Sequence, residues 1–220
     1  MHKTVQNLVN IENKIRSYLG HLNITNLPNI IAVSKTFKME KILPLVDHGH
    51  LHFGENKVQE AVEKWTDIKK NFSNIQLHMI GKLQTNKVKF VIPLFDYIHS
   101  LDNIKLAKKI SDEQKKINKN LKIFIQINIA DEEQKSGIKP NELKNFYQTC
   151  VSELNLNIIG LMCIPPIDNK TDIYFSEMKK LKSLINVKDL SMGMSQDYLK
   201  AVENDATYIR IGSKIFGSRA

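Results

Sequence analysis

The residues of this chain that could do chemistry sit at the ends of short apolar runs. The first run, Asn29-Ile30-Ile31-Ala32-Val33, passes directly into Ser34 and Lys35. A lysine that ends a buried strand is costly to keep charged unless it is paired or neutralised. Partial desolvation lowers its pKa and frees the amine for attack on a carbonyl carbon, the step that makes a Schiff base. Position alone leaves the ordinary alternative open, a salt-bridged lysine or one whose stem snorkels to solvent. Other runs end in Gly54-Glu55-Asn56, in His78 and Gly81 with Gln84 and Asn86 beyond, in Asn128, in Ser191-Met192-Gly193-Met194-Ser195, and in Arg210-Ile211-Gly212-Ser213. Brought together, this set of one lysine, one arginine, amides, hydroxyls and glycines suits an anion and a carbonyl better than a divalent metal. Gly193 and Gly212 let backbone approach a ligand without a Cβ in the way. Turn N–H groups there, with the Ser195 and Ser213 hydroxyls, form a candidate phosphate cradle. The plain alternative is that these glycines only make tight turns.

Something must bring these distant residues to one place, and the hydrophobic pattern says what. Short apolar runs alternate with longer amphipathic stretches, the signature of βαβ units and a parallel sheet. A leading helix is expected over Thr4 to Leu19. Strands are expected at Asn29–Lys35, His50–Asn56, Ile75–Gly81, Tyr97–Leu101, Lys122–Ile129, Asn157–Ile164, Asp189–Met194 and Thr207–Ile211. Helices are expected at Met39–His48, Val58–Ile68, Asn86–Leu94, Asn103–Ile117, from Pro140 to Leu154, at Asp172–Ile185 and at Asp197–Asn204, with a short Gly-bounded segment from Gly212 to Gly217. Eight strand–helix units after one helix predict an α/β fold, a single (β/α)8 TIM barrel with an extra N-terminal helix, over residues 1–220. In such barrels the chemistry lies at the C-terminal ends of the strands, and phosphate often binds after strands seven and eight.

Composition narrows the function classes. The chain has 220 residues, 42% hydrophobic and 25% charged, ordinary values for a globular protein. No apolar stretch approaches the ~20 residues of a membrane span, and Met1 to Gly20 lacks a signal-peptide core. Two cysteines, Cys150 and Cys163, make no disulfide framework and no CxxC pair. A cytoplasmic protein with no membrane partner is therefore expected. The net charge of +9 would attract nucleic acid. The lysines are spread along the chain, however, without a dense arginine block interleaved with aromatics. They read as solvated helix faces with a preference for small anions, and no nucleic-acid partner is expected.

Several other residues invite a functional reading. His48, His50 and His52 are spaced two apart, as metal ligands on one strand face would be. They fall where a helix ends and a strand begins, with Gly49 as a C-cap, at the end opposite the expected site, so no metal site is expected. His78 is placed near the pocket, in a lining or core role. Trp65, with Val58, Ala61 and Val62, reads as the buried face of a helix. Met162 and Met192 read as barrel packing, Met194 as packing that could flank a phosphate, and Cys163 as a structural thiol at the end of strand six.

The motifs carry a resemblance. Ala32-Val33-Ser34-Lys35, Phe53-Gly54-Glu55-Asn56 with Val58-Gln59-Glu60-Ala61, His78-Met79-Ile80-Gly81 with Leu83-Gln84 and Asn86-Lys87, Gly160-Leu161-Met162, Leu190-Ser191-Met192-Gly193-Met194-Ser195, and Arg210-Ile211-Gly212 leading to Ile215-Phe216-Gly217 resemble the YggS/PROSC family of pyridoxal phosphate homeostasis proteins. The likeness runs from the first strand to the C-terminus. It implies an alanine-racemase-like barrel lacking that enzyme's C-terminal β domain, since the chain ends nine residues after Ile211. It implies pyridoxal 5′-phosphate as cofactor, with an internal aldimine on Lys35 and Arg210 facing the pyridine nitrogen. It places Ser195, Gly212 and Ser213 on the phosphate, Met194 beside it, and Asn56 on the side of the ring's 3-oxygen. Lys57 and Lys82 depart from the pattern only by adding charge near the pocket mouth.

Racemisation needs a base on each face of the α-carbon. Racemases of this type use the lysine and a tyrosine that reaches in from the partner subunit's extra domain, and no tyrosine here matches that base. The expected role is therefore a non-enzymatic one, in which no residue is assigned a catalytic part. The protein would hold the cofactor reversibly for storage or delivery to apo-enzymes that depend on it, as a monomer, with weak cofactor-dependent activity compatible. The alternative is an amino-acid racemase with a single lysine base.

Overall fold

A computed structural model describes residues 1–166, 168 and 170–218. The chain opens with α1 (Lys3–His21), whose N-cap residue His2 accepts the Thr4 N–H on its ring. Its buried residues Val5, Leu8, Ile11, Ile15 and Leu19 recur every three or four positions, so one stripe faces the rest of the protein. Strands and helices then alternate: β1 (Asn29–Val33), α2 (Met39–Asp47), β2 (His52–Glu55), α3 (Val58–Asn71), β3 (Gln76–Met79), α4 (Val88–Leu94), β4 (Tyr97–Leu101), α5 (Ile104–Ile117), β5 (Lys122–Ile127), α6 (Leu143–Gln148), β6 (Ile158–Cys163), α7 (Thr171–Leu184), β7 (Asp189–Ser191), α8 (Tyr198–Glu203), β8 (Tyr208–Ile211) and the single turn α9 (Ser213–Phe216).

The strands form a closed parallel barrel in sequence order. It closes where β1 pairs with β8, Ile31 opposite Arg210, while β1 pairs on its other edge with β2, Ala32 opposite Phe53. Side chains alternate across each strand. On β1, Ile30 and Ala32 join the core between sheet and helices, whereas Ile31 points into the barrel with Tyr97, Phe124, Met162 and Tyr208. Helix α1 lies outside the closing seam, where the Asn7 Nδ2 group donates to the Ile215 carbonyl at 2.9 Å. Among the described residues no helix is long and apolar enough to cross a membrane.

Two expectations change. The strands are shorter than the apolar runs, so Ser34-Lys35, Asn56, Asn128 and Met192 to Met194 lie in the loops that follow them. The helix expected from Pro140 to Leu154 is three pieces: a 3-10 turn at Pro140–Glu142, then α6, then a π-turn at Thr149–Glu153. The wide turn keeps Cys150 buried while its carbonyl accepts the Leu156 N–H at 2.9 Å. The spacing of apolar residues does not distinguish that turn from a continuing α-helix.

Candidate functional site

A cavity of about 510 Å³ opens at the C-terminal ends of the strands, the end of the barrel where chemistry is expected. Lys35, Asn56, Met194, Ser195, Arg210, Gly212 and Ser213 all line it, although they come from loops after β1, β2, β7 and from β8 onward. Its apolar walls include Val33, Phe37, Ile80, Ile164, Pro165 and Pro166. The size lies within the roughly 300–1,000 Å³ usual for small-molecule sites.

Lys35 is half-buried in the turn after β1, and the next residue, Thr36, adopts a left-handed φ of 67°. A non-glycine residue in that region is strained and needs support from its surroundings. The support is a polar web. The Ser34 Oγ hydroxyl donates to Glu55 Oε1 at 2.8 Å, Lys64 Nζ donates to the Ser34 carbonyl at 3.0 Å, and the Thr36 N–H donates to Glu60 Oε1. Glu55 is fully buried, and its Oε1 also accepts from Trp65 Nε1 at 3.1 Å and Lys64 Nζ at 3.3 Å. Burial pushes its carboxyl above the usual range, against the opposing pull of Lys64, Trp65 and Ser34. Trp65 is thus a buried helix residue, as its spacing predicts, with its indole N–H spent on the clamp.

Asn56 follows β2, and its backbone is pressed against Gly81. A Cβ at position 81 would lie 2.3 Å from the Asn56 carbonyl oxygen, so only glycine fits there. The Asn56 Oδ1 position is buried and has no hydrogen-bond partner among the described residues. An unpaired amide end beside a cavity is a position for a ligand's polar group.

Opposite, the loop after β7 is closed by Asp197, whose Oδ1 accepts the Met194 N–H at 2.6 Å. The Asp197 and Tyr198 N–H groups return to the Met194 carbonyl at 3.2 and 3.0 Å, which turns Ser195 and Gln196 along the cavity wall. Gly212 and Ser213 open α9, whose first N–H groups have no intrahelical acceptor. Between these loops lies Arg210, 5% exposed. Its Nη1 donates to the Ser191 carbonyl and to Ser191 Oγ, each at 2.8 Å, and its Nη2 donates to the Cys163 carbonyl at 2.9 Å. No carboxylate among the described residues lies within salt-bridge distance of it. Burial pulls its pKa down from the usual value, yet an arginine stays charged in a protein. The cavity thus holds an amine on a braced turn, a buried cation with neutral partners, and two polar turns suited to an anion.

Other singled-out residues lie elsewhere. His78 is not at the pocket. It is fully buried inside the barrel, where its Nε2 meets His52 Nδ1 at 3.0 Å and its Nδ1 meets His99 Nε2 at 2.9 Å. Its strand ends one residue later, so the inward-facing ring lies below the rim. His48 is the C-cap of α2 and Gly49 follows with a φ of 89°, while His50 and His52 border a separate cavity of about 440 Å³ at the barrel floor. Asn128 pins its own loop, donating to the Glu132 carbonyl at 2.8 Å. Gln84 is outside the cavity, and Asn86 borders a surface hollow with Lys105 and Lys108. Gly193 does not line the site; its φ of 87° and its contact with Ala201 set the packing of α8. Cys163 and Met192 are buried in the core outside the sheet, with the thiol raised to about 12 by burial, and Met162 lies inside the barrel. Sequence reasoning missed Asp197, Lys200, Thr171 and the Pro165-Pro166 wall. Pro165-Pro166 directly after a strand was the one visible signal. It also missed His99, whose Nδ1 meets Ser191 Oγ at 2.8 Å. His99 carries no motif, and its partners are remote in sequence.

The family described as alanine racemase, N-terminal domain, matches residues 7–220. The pyridoxal phosphate homeostasis protein of Haemophilus influenzae is 37% identical over 224 residues, covering 97% of this chain and 94% of that protein. The solved structure of PipY from Synechococcus elongatus with PLP bound superposes with a TM-score of 0.78 at 31% identity, over 92% of this chain and 100% of that one. An alanine racemase of Clostridium difficile shares the fold at 13% identity, with a TM-score of 0.71 over 98% of this chain and 56% of the racemase.

Proposed function

Because this chain belongs to the pyridoxal phosphate homeostasis proteins, a family built on the alanine racemase N-terminal domain, we propose that it binds pyridoxal 5′-phosphate in the cavity at the strand ends, attached through Lys35, and holds it for storage or delivery. The observation that carries the reading is the joint lining of one cavity by Lys35, by Asn56, whose Oδ1 has no partner among the described residues, and by Arg210, which has no carboxylate among them within salt-bridge distance. These residues fit the cofactor group for group. When bound, the cofactor supplies an aldehyde that condenses with a primary amine and a ring that draws electrons from the new bond.

The chain's own residues do the rest. The Ser34–Glu55–Lys64 web fixes the turn that aims Lys35. Arg210 sets a permanent cation toward the ring nitrogen and disfavours its protonation, which weakens the ring as an electron sink compared with a site that uses a carboxylate. Ser195, Gly212 and Ser213 take the phosphate, with Met194 against it, and Asn56 takes the polar group on the opposite side of the ring. Residues 1–220 work as one cofactor-binding unit, a cytoplasmic monomer whose partners are the cofactor and apo-enzymes that need it. The reading assigns no catalytic residue, because holding and releasing the cofactor needs no second base beside Lys35.

Borohydride reduction of the loaded protein followed by peptide mass spectrometry tests the attachment. The expected result is a pyridoxyl adduct on Lys35 that Lys35→Ala loses while its fold, read by circular dichroism, persists. An adduct on another lysine alone would overturn the site. Incubation with several amino acids in deuterated water separates carrier from enzyme. No exchange at the α-carbon is expected, and rapid exchange with racemisation would replace the carrier by a racemase that uses Lys35 as its base.

A further inference from the structure

We propose that His52, His78, His99 and Ser191 form a positioning relay that fixes the Arg210 guanidinium from behind and couples the barrel floor to the cofactor face at the opposite end. The proposal rests on the reading that Arg210 faces the cofactor. Its first part concerns the protein without cofactor and stands separately.

The contacts are continuous. His52 Nδ1 meets His78 Nε2 at 3.0 Å, His78 Nδ1 meets His99 Nε2 at 2.9 Å, and His99 Nδ1 meets Ser191 Oγ at 2.8 Å. Ser191 Oγ and the Ser191 carbonyl each accept from Arg210 Nη1 at 2.8 Å. The rings are wedged between aromatic walls, His78 stacked on Tyr97 at 4.1 Å and His99 on Phe124 at 4.3 Å, so they have little freedom to turn away. His52, at the far end, borders the floor cavity.

Arginine fixes the direction of every bond, because it can only donate. The Ser191 hydroxyl accepts from Arg210, and its single proton then goes to its other neighbour, the Nδ1 of His99. His99 therefore carries its own proton on Nε2 and donates to His78 Nδ1. His78 likewise donates from Nε2 to His52 Nδ1. If the histidines instead donated toward Ser191, its hydroxyl would accept twice and leave its proton buried without an acceptor, which native interiors avoid. All three rings are thus neutral Nε2–H tautomers, and burial holds His78 and His99 well below their usual pKa. Removing Arg210 or Ser191 lifts the constraint and frees the rings to take the opposite tautomer, whereas removing His52 leaves the His78 Nε2–H without its acceptor and loosens the chain from the floor end. Apolar side chains would fill a barrel interior at less desolvation cost. The polar chain supplies instead a neutral acceptor for Arg210, one that orients the fork and leaves its charge for a bound ring.

Imidazole 15N spectra of the 15N-histidine-labelled full chain, without cofactor at pH 7, test the relay. Signals are assigned by their loss in single His→Gln variants. His52, His78 and His99 are expected as neutral Nε2–H tautomers, and an Nδ1–H or charged His99 in the unsubstituted protein overturns the proposal. Ser191→Ala should turn His99 into a tautomer mixture, and an unchanged His99 also counts against it. Pyridoxal 5′-phosphate titration tests the coupling. His99→Leu should weaken binding about tenfold, because the Ser191 hydroxyl loses the acceptor that keeps its oxygen turned toward Arg210. His99→Asn, whose Oδ1 replaces Nδ1 as the acceptor of the Ser191 hydroxyl, should retain most of the affinity and serves if the leucine variant fails to fold. His52→Leu, at the other end of the barrel, should leave His99 an Nε2–H tautomer, because Arg210 still fixes the Ser191 end, but should weaken binding a few-fold through the loosened rings. Unchanged affinity in His52→Leu would refute the coupling. If instead the cofactor does not bind at all while the tautomers are as described, the functional reading fails and the relay survives.

Discussion

Glu55 is a carboxyl group held where water does not reach, between the residue before Lys35 and the helix that braces it. Its Oε1 takes three donors, while its Oε2 has no partner among the described residues. Its folded pKa is raised, chiefly by burial. Above the unfolded value of about 4.5 the unfolded chain loses this proton before the folded chain does, so Glu55 costs the fold more as pH rises from there to its folded value. Glu55→Gln has no such proton. The stability of Glu55→Gln relative to the parent protein, from urea midpoints at pH 5 and pH 7, should therefore improve with rising pH. Taking the difference cancels groups common to both. A pH-independent difference would mean that Glu55 titrates as an exposed carboxylate does. The same variant should loosen the Lys35 turn, since a neutral amide is a weaker partner for Lys64 and Ser34.

At the scale of elements, the site depends on how α8 seats against the end of β7. Gly193 has a φ of 87°, and a Cβ there would lie 2.5 Å from the Ala201 Cβ, while the Gly193 carbonyl accepts the Arg210 N–H at 2.9 Å. Gly193→Ala combines left-handed strain with overpacking and should cost about 2–4 kcal/mol by urea unfolding. Ala201→Gly alone should cost about 1 kcal/mol as a glycine within a helix, and less in the Gly193→Ala background because the clash is gone. Equal costs in both backgrounds would show that the contact is not the cause. Elements were legible in the sequence where one face decides the pattern: β4 spans Tyr97–Leu101 as its apolar run predicts, and Lys35, Asn56, Ser195 and Arg210 could be assigned to one end by counting strands. What faces the barrel interior was not legible. His78 and His99 meet across 21 residues, and His99 and Ser191 across 92, so no local window contains the pairing that explains either. The π-turn at Thr149–Glu153 escaped for a related reason, since it preserves the burial of Cys150 that an ordinary helix would also have given.

The interior of the molecule carries two fully buried imidazoles, His78 and His99, with the partly buried His50 and His52 beside them, and this sets how it should respond to acid. Burial lowers His50 and His52 to about 4 and holds His78 and His99 well below 6.5. As pH falls through about 6.5, the unfolded chain takes up protons on these four residues and the folded chain does not. The sign is therefore fixed: their contribution is complete above about 6.5 and is lost as pH falls toward their folded values. Each histidine in that window costs about 1.4 kcal/mol per pH unit, and four together approach about 5. Glu55, with its raised pKa, opposes them in part. Against a total stability of about 5–15 kcal/mol, that slope makes acid an effective denaturant of the protein below about pH 6.5. Urea titrations at closely spaced pH values should show net proton uptake on unfolding near pH 5.5, smaller in His78→Gln or His99→Gln than in the parent protein. No net uptake would mean that the interior imidazoles are not held neutral. Bound cofactor acts against this loss. At about a hundredfold excess over its dissociation constant it adds about 2.7 kcal/mol. Divided by the acid slope, that moves the unfolding midpoint down by about half a pH unit. Lys35→Ala should lose most of that shift while keeping the slope, because the slope belongs to the barrel interior and the shift to the cavity above it.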